Sequence, residues 1–143
     1  MATINATISI NSDVMSSPVS ISSTMTMTKH TATDGLEEAT GLRAKKFAAT
    51  SAVAVIESDE FTSSSAKAHK VYMRNTGSSK EEYFYVAFNA SAAASDTTET
   101  IGKLYGGDWM LMPYTGGTNL TVAASTAEPM TLEYMVFADG MAK

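Results

Sequence analysis

The sequence predicts an all-β fold: one β-sandwich or jelly-roll-like domain of about eight or nine short strands, led by an N-terminal strand pair or arm. Three observations carry this. Apolar and polar residues alternate with period two through most of the chain. Turn residues punctuate it at even spacing, at Arg74-Asn75-Thr76-Gly77, Gly106-Gly107-Asp108 and Thr115-Gly116-Gly117. No segment carries an apolar stripe at helical period long enough for a free helix.

Residues 3–11 place Ile4, Ala6, Ile8 and Ile10 on one side and Thr3, Asn5, Thr7 and Ser9 on the other. After breakers at Asn11-Ser12-Asp13 and Ser16-Ser17-Pro18, a second line of Val19, Ile21, Met25 and Met27 runs opposite Ser20, Ser22, Thr24, Thr26 and Thr28. The two read as a strand pair whose only charge is Asp13, a soft edge of the kind native proteins cover. Residues 29–41 read as a linker. Within it, Leu36 to Ala39 is predicted as a helical turn with Asp34 as its cap and Glu37 and Glu38 near its positive end.

Residues 42–143 form the sandwich. Strands are predicted at 42–47 and 52–56, then at 67–74, where Val71 and Met73 face away from Lys70, Tyr72 and Arg74. At 82–88 both faces are apolar or aromatic (Phe84, Val86, Phe88 against Tyr83, Tyr85, Ala87), which predicts a strand that is central or covered on two sides. Residues 75–79 are predicted as a hairpin loop between these last two strands, with Gly77 supplying a positive φ. Asn89 to Thr97 reads as loop, Trp109 to Met112 as a strand ending at Pro113, and the last two strands run through Leu120, Val122, Ala124 and through Met130, Leu132, Tyr134, Val136.

At 143 residues the chain is the size of one domain. Without Cys it has neither disulfides nor thiolate metal sites, and its redox compartment stays open. No charged n-region with an apolar h-region opens it, and no apolar run approaches the roughly 20 residues that span a bilayer, so a soluble protein that does not enter membranes is expected. The net charge of −5 disfavours nucleic acid, because phosphate neutralisation needs a basic excess and Arg43 with Lys45-Lys46 is the one basic cluster. Ser and Thr make 36 of the 143 residues and Ala another 21, a composition suited to flat β surfaces packed closely on neighbours.

The chain carries no reactive constellation. His30 and His69 stand outside metal-ligand spacings, no Gly-x-Ser-x-Gly elbow accompanies the abundant Ser, and Glu81-Glu82 and Glu57/Asp59/Glu60 read as loop-edge solvation. No catalytic residue, metal or cofactor is therefore expected. Trp109 has two readings: a core residue, which is the preferred one, or part of a sugar-stacking platform with Tyr105 and Tyr114. Ten Met residues point to adaptable surfaces, and Met110, Met112 and Met135 are expected on a face covered by another subunit. With Ile4, Ile8, Ile10, Val19, Ile21, Met25 and Met27 of the N-terminal pair they make up the expected interface. Burying each of its Ile and Val side chains contributes about 1.5–3 kcal/mol.

The run Lys70-Val71-Tyr72-Met73-Arg74-Asn75-Thr76-Gly77, followed by Tyr83-Phe84-Tyr85-Val86, Leu104-Tyr105-Gly106-Gly107-Asp108-Trp109-Met110-Leu111-Met112-Pro113 and Leu132-Glu133-Tyr134-Met135-Val136, resembles small virion structural proteins of tailed phages, especially large marine phages. Gly41-Leu42-Arg43-Ala44-Lys45-Lys46 is similar to that group as well. The resemblance spans residues 41 to 137 and lies in turns and alternation. It implies a non-enzymatic virion component, made in the host cytoplasm, that binds itself and the major capsid protein as a decoration or cement protein. A tail, neck or baseplate component is the alternative, and a carbohydrate-binding sandwich is the alternative of another class.

Overall fold

The computed structural model describes residues 3–14, 17–32, 34–36, 38–89 and 99–139, and every regular element among them is a strand. In chain order these are β1 (Ile4–Ser12), β2 (Val19–Met27), β3 (Glu38–Ala39), β4 (Arg43–Phe47), β5 (Val53–Ile56), β6 (His69–Asn75), β7 (Tyr83–Phe88), β8 (Thr100–Tyr105), β9 (Trp109–Tyr114), β10 (Leu120–Ala124) and β11 (Met130–Ala138). All the pairings are antiparallel. A four-stranded sheet runs β5-β10-β7-β8. A five-stranded sheet runs β3-β11-β6-β9, with β4 also on β11, and β1-β2 stand as a sheet of their own.

The two larger sheets form the sandwich. Alternation turns Phe84 and Val86 of β7 and Leu120, Val122 and Ala124 of β10 inward, against Val71 and Met73 of β6 and Leu132, Tyr134 and Val136 of β11. Phe47 closes the layer edge-to-face on Phe84, with ring centroids 5.1 Å apart. As its two-sided pattern predicts, β7 is a central strand, and its second face buries Ala87 beside Ala123 under Tyr85. The edge beside β11 is one chain segment broken in two. β3 pairs with Phe137 and Ala138, Gly41 turns the backbone through a φ of 74°, and β4 resumes along Met130 to Tyr134.

Four local expectations are corrected. Leu36 to Ala39 is not helical. Leu36 is buried, its amide donates to the Met27 carbonyl at 3.1 Å, and Glu38–Ala39 joins the ladder of β11; one helical turn cannot compete with sheet bonds already on offer. Glu37 lies outside the described residues, as do residues 90–97 of the predicted loop. Residues 75–79 do not close a hairpin: β6 and β7 lie in different sheets, so the segment crosses the sandwich. Gly77 is absent from the positive-φ residues because the turn is held another way, the Gly77 amide donating to Asn75 Oδ1 at 3.0 Å. Pro113 does not end its strand; β9 continues to Tyr114, which an edge strand permits since proline lacks only the outward donor. Finally, β8 is an additional strand, its alternation interrupted by Gly102.

Among the described residues, buried polar side chains are paired. The Asn75 Nδ2 donates to the Leu104 carbonyl of the opposite sheet at 3.0 Å. Fully buried His69 accepts the Asp139 amide at Nδ1 (3.2 Å), which leaves Nε2–H to donate to the Thr62 carbonyl at 3.3 Å. Burial raises the Tyr114 hydroxyl above the usual phenol range, and the hydroxyl donates to the Thr118 carbonyl.

Candidate functional site: the N-terminal arm and its groove

The strand pair β1-β2 is an arm with two unlike faces. Nine residue pairs register without a shift, from Ile4↔Met27 to Ser12↔Val19. Because side chains alternate, Ile4, Ala6, Ile8, Ile10, Val19, Ile21, Met25 and Met27 all emerge on one face. The other face is a polar ladder. Thr26 donates to Asn5 Oδ1 at 2.8 Å, Ser20 to Asn11 Oδ1 at 2.7 Å, and the Thr7 and Thr24 hydroxyls share a bond of 2.9 Å.

Among the described residues the arm's strands pair only with each other, and most of the arm is open to solvent. Ile8, Ile10, Ile21 and Met25 are 40%, 45%, 49% and 43% exposed. Its base is fixed. Met27 is buried, Thr28 bridges Gly35, and the Lys29 amide donates to the Asp34 carbonyl at 2.8 Å.

The arm's edges differ from those of the sandwich. β4 carries Arg43, Lys45 and Lys46, β9 carries Pro113, β8 carries Lys103, and β5 is only four residues long. Charge, proline and brevity are the devices that keep a sheet edge from pairing. Neither β1 nor β2 contains a charged residue or a proline. The basic cluster has local work instead: Arg43 pairs with Glu60 at 3.2 Å, and Lys45 Nζ donates to the Ala54 carbonyl at 3.4 Å, across to the other sheet.

Between the arm and the outer face of the five-stranded sheet lies an open groove of about 980 Å³. Ala6, Ile8, Ile10, Met25 and Met27 line it from the arm, together with Asn5, Thr7 and Ser9 of the polar ladder, and Tyr72, Arg74, Trp109, Leu111 and Phe137 line it from the sheet. Register explains the second wall. Glu133, Arg74 and Trp109 stand in one outward row across β11, β6 and β9, and Met135, Tyr72 and Leu111 in the next.

That register also corrects the preferred place of Trp109. It is 51% exposed, whereas Met110 and Met112 turn inward beside Met73 and Val71 and pack on the core. Of the expected interface residues, the structure therefore gathers seven on the arm's apolar face. It sets Met135 on the outer sheet face and commits Met110 and Met112 inward. Trp109, Tyr72 and Leu111 were missing from that set. Their signal was in the alternation, which placed Tyr72 opposite Val71 and Met73 but left open which face of residues 109–112 turns out.

The sugar-platform trio is not assembled. Tyr114 is buried, Trp109 is on one sheet, and Tyr105 is on the other. Tyr105 instead meets Tyr83 at a centroid distance of 4.9 Å, Tyr83 meets Tyr85 at 5.0 Å, and Lys103 Nζ lies 4.6 Å from the Tyr83 ring centre. The 2.8 Å bond between the Tyr83 and Tyr85 hydroxyls holds Tyr83 below the usual phenol range and pushes Tyr85 above it. Among the described residues, no group of three or more His, Asp or Glu is placed to hold a metal ion. No protein-family model, curated protein or solved structure matches this chain.

Proposed function

We propose that this chain is a non-enzymatic structural subunit of a phage virion, a decoration protein that binds the capsid shell as a homo-oligomer through its N-terminal arm. One observation carries the reading: the sandwich guards its own edges, while the arm presents an uncharged apolar face and two open strand edges. Such an edge acquires its ladder from a neighbour. The resemblance of residues 41 to 137 to virion proteins of tailed phages supplies the setting, and the absence of any reactive constellation from the sequence supports a packing role.

Co-sedimentation with purified capsid shells tests it. The full chain is expected to bind at a fixed stoichiometry. A chain lacking residues 1–26, which keeps Met27 and the Thr28–Gly35 bridge at the arm's base, is expected to stay folded and lose binding. Full-length protein that ignores shells overturns the capsid assignment, and binding to purified tails instead gives the arm the alternative tail, neck or baseplate partner.

A further inference from the structure

The groove is bordered by strand edges as well as by strand faces. A wall made by one face of a strand contributes alternate residues, and β2 does so through Ser23, Met25 and Met27. β1 instead contributes all six residues 5–10, from its apolar and polar faces alike, so the groove runs along the edge of β1 that points away from β2. The sheet does the same at β9, where consecutive Trp109, Met110 and Leu111 border the groove. We infer that the groove is a slot for one strand: an extended segment of a shell subunit lies in it, adds to the open edge of β1 and sets alternate side chains against Tyr72, Trp109 and Leu111. This rests on the shell-binding function proposed above and names the kind of segment that the arm grips.

Size selects that occupant. A six-residue strand is about 20 Å long, and with about 4.8 Å to its neighbour and about 10 Å between layers it fills about 960 Å³. The groove holds about 980 Å³, room for one strand and not for two. A single strand also supplies what β1 lacks. Among the described residues β1 pairs only with β2, so the N–H and C=O groups along its other edge have no ladder, and the strand carries neither charge nor proline to repel one. Main-chain bonds to such an edge give affinity, and the alternate side chains give selectivity. β9 is the poorer edge, because Pro113 has no donor to offer.

The walls define the chemistry of the segment. Its sheet-facing positions meet the rings of Tyr72 and Trp109 and the side chain of Leu111, which calls for apolar residues at every second place. Among the described residues Arg74 is the one charged side chain on the groove. It is exposed and makes no ion pair among those residues, although Glu133 stands beside it in register. A carboxylate at that end of the segment matches its guanidinium. The segment is therefore extended, about six residues long, apolar at alternate positions and acidic at one end.

The test uses the full chain and a synthetic peptide of alternating Val and Thr, with Asp at one end and both termini capped. Trp109 is the sole Trp and is half-exposed on the groove, so its emission is expected to move to shorter wavelength as one peptide binds per chain. N-methylation of alternate amides along one edge of the peptide is expected to abolish binding, and N-methylation along the other edge to leave it. Arg74→Glu, a change at an exposed side chain, is expected to weaken the Asp peptide about fivefold, to leave its Asn counterpart unchanged and to keep the circular dichroism of the chain. The peptide is also expected to displace the chain from purified shells. A peptide that does not bind, that tolerates methylation along both edges, or that binds without displacing the chain from shells overturns the slot, while shell binding itself leaves the proposed function standing. A chain that takes the peptide but ignores shells overturns the shell as the source of the segment, and the proposed function with it.

Discussion

Asn75 is the residue that most directly joins the two sheets. It sits at the end of β6, almost fully buried, and its side chain makes two bonds in different directions. Nδ2 donates to the Leu104 carbonyl on the opposite sheet, and Oδ1 accepts the Gly77 amide that starts the crossing segment. Its backbone completes the knot, the Asn75 amide donating to the Asp108 carbonyl and its own carbonyl accepting the Gly107 amide, both at 3.0 Å. Asn75→Ala strands the buried Leu104 carbonyl and releases the amide of exposed Gly77 to water, and an unsatisfied buried group costs about 1–3 kcal/mol. Chemical denaturation is expected to show a loss of at least that size. Asn75→Asp is expected to do worse, since it keeps the acceptor for Gly77 but replaces the donor to Leu104 by a buried carboxylate. A neutral Asn75→Ala would mean that the crossing is held elsewhere. The sequence marks this position as a turn centre. It does not show that the turn leaves its sheet, because an Asn-Thr-Gly run serves a hairpin and a crossing equally well.

At the scale of elements, alternation made most strands legible, because period two survives wherever one face is buried. The arm is the clearest case: its Ile, Val and Met positions fall on one face as read. Alternation does not say which face is inward, and that is where Trp109 was misplaced. Its bulk favours the core in isolation, yet pairing with β6 fixes it beside Arg74, which must reach solvent, and the register then turns Met110 and Met112 inward. β8 was hidden because Gly102 breaks its pattern and the ladder to β7 slips between Val86 and Ala87. This suggests an experiment on the strand itself. Gly102 is exposed, has no positive φ, and has nothing within 4 Å of where a Cβ would stand. Gly102→Thr is therefore expected to stabilise the sandwich by about 0.4–1 kcal/mol, by restricting the unfolded chain and adding a β-favouring side chain to an edge. A higher urea midpoint with an unchanged slope would establish it, and a lower midpoint would show that the slip in register needs glycine.

The molecule as a whole couples a closed body to an open appendage, and the two should differ in stability within one chain. Strands β6, β7, β10 and β11 are paired on both sides and bury their inner faces; β1 and β2 are paired only with each other. A lone two-stranded hairpin in water is marginal, so the arm's hydrogen bonds open far more often than those of the core. Amide hydrogen exchange on the dilute chain is expected to show β1 and β2 exchanging orders of magnitude faster than β6 and β11. Protection should end near Met27, where burial and the Thr28–Gly35 bridge tie the arm's base to the body. Once the arm's apolar face is covered, whether by another copy or by a shell, its amides should slow toward core rates while those of the body change little, because no body strand must reorganise to receive it. Arm amides already protected like the core in dilute monomer would mean that the arm belongs to the domain's own stability and not to assembly. Arm amides that stay fast in the bound state would mean that binding uses some other surface.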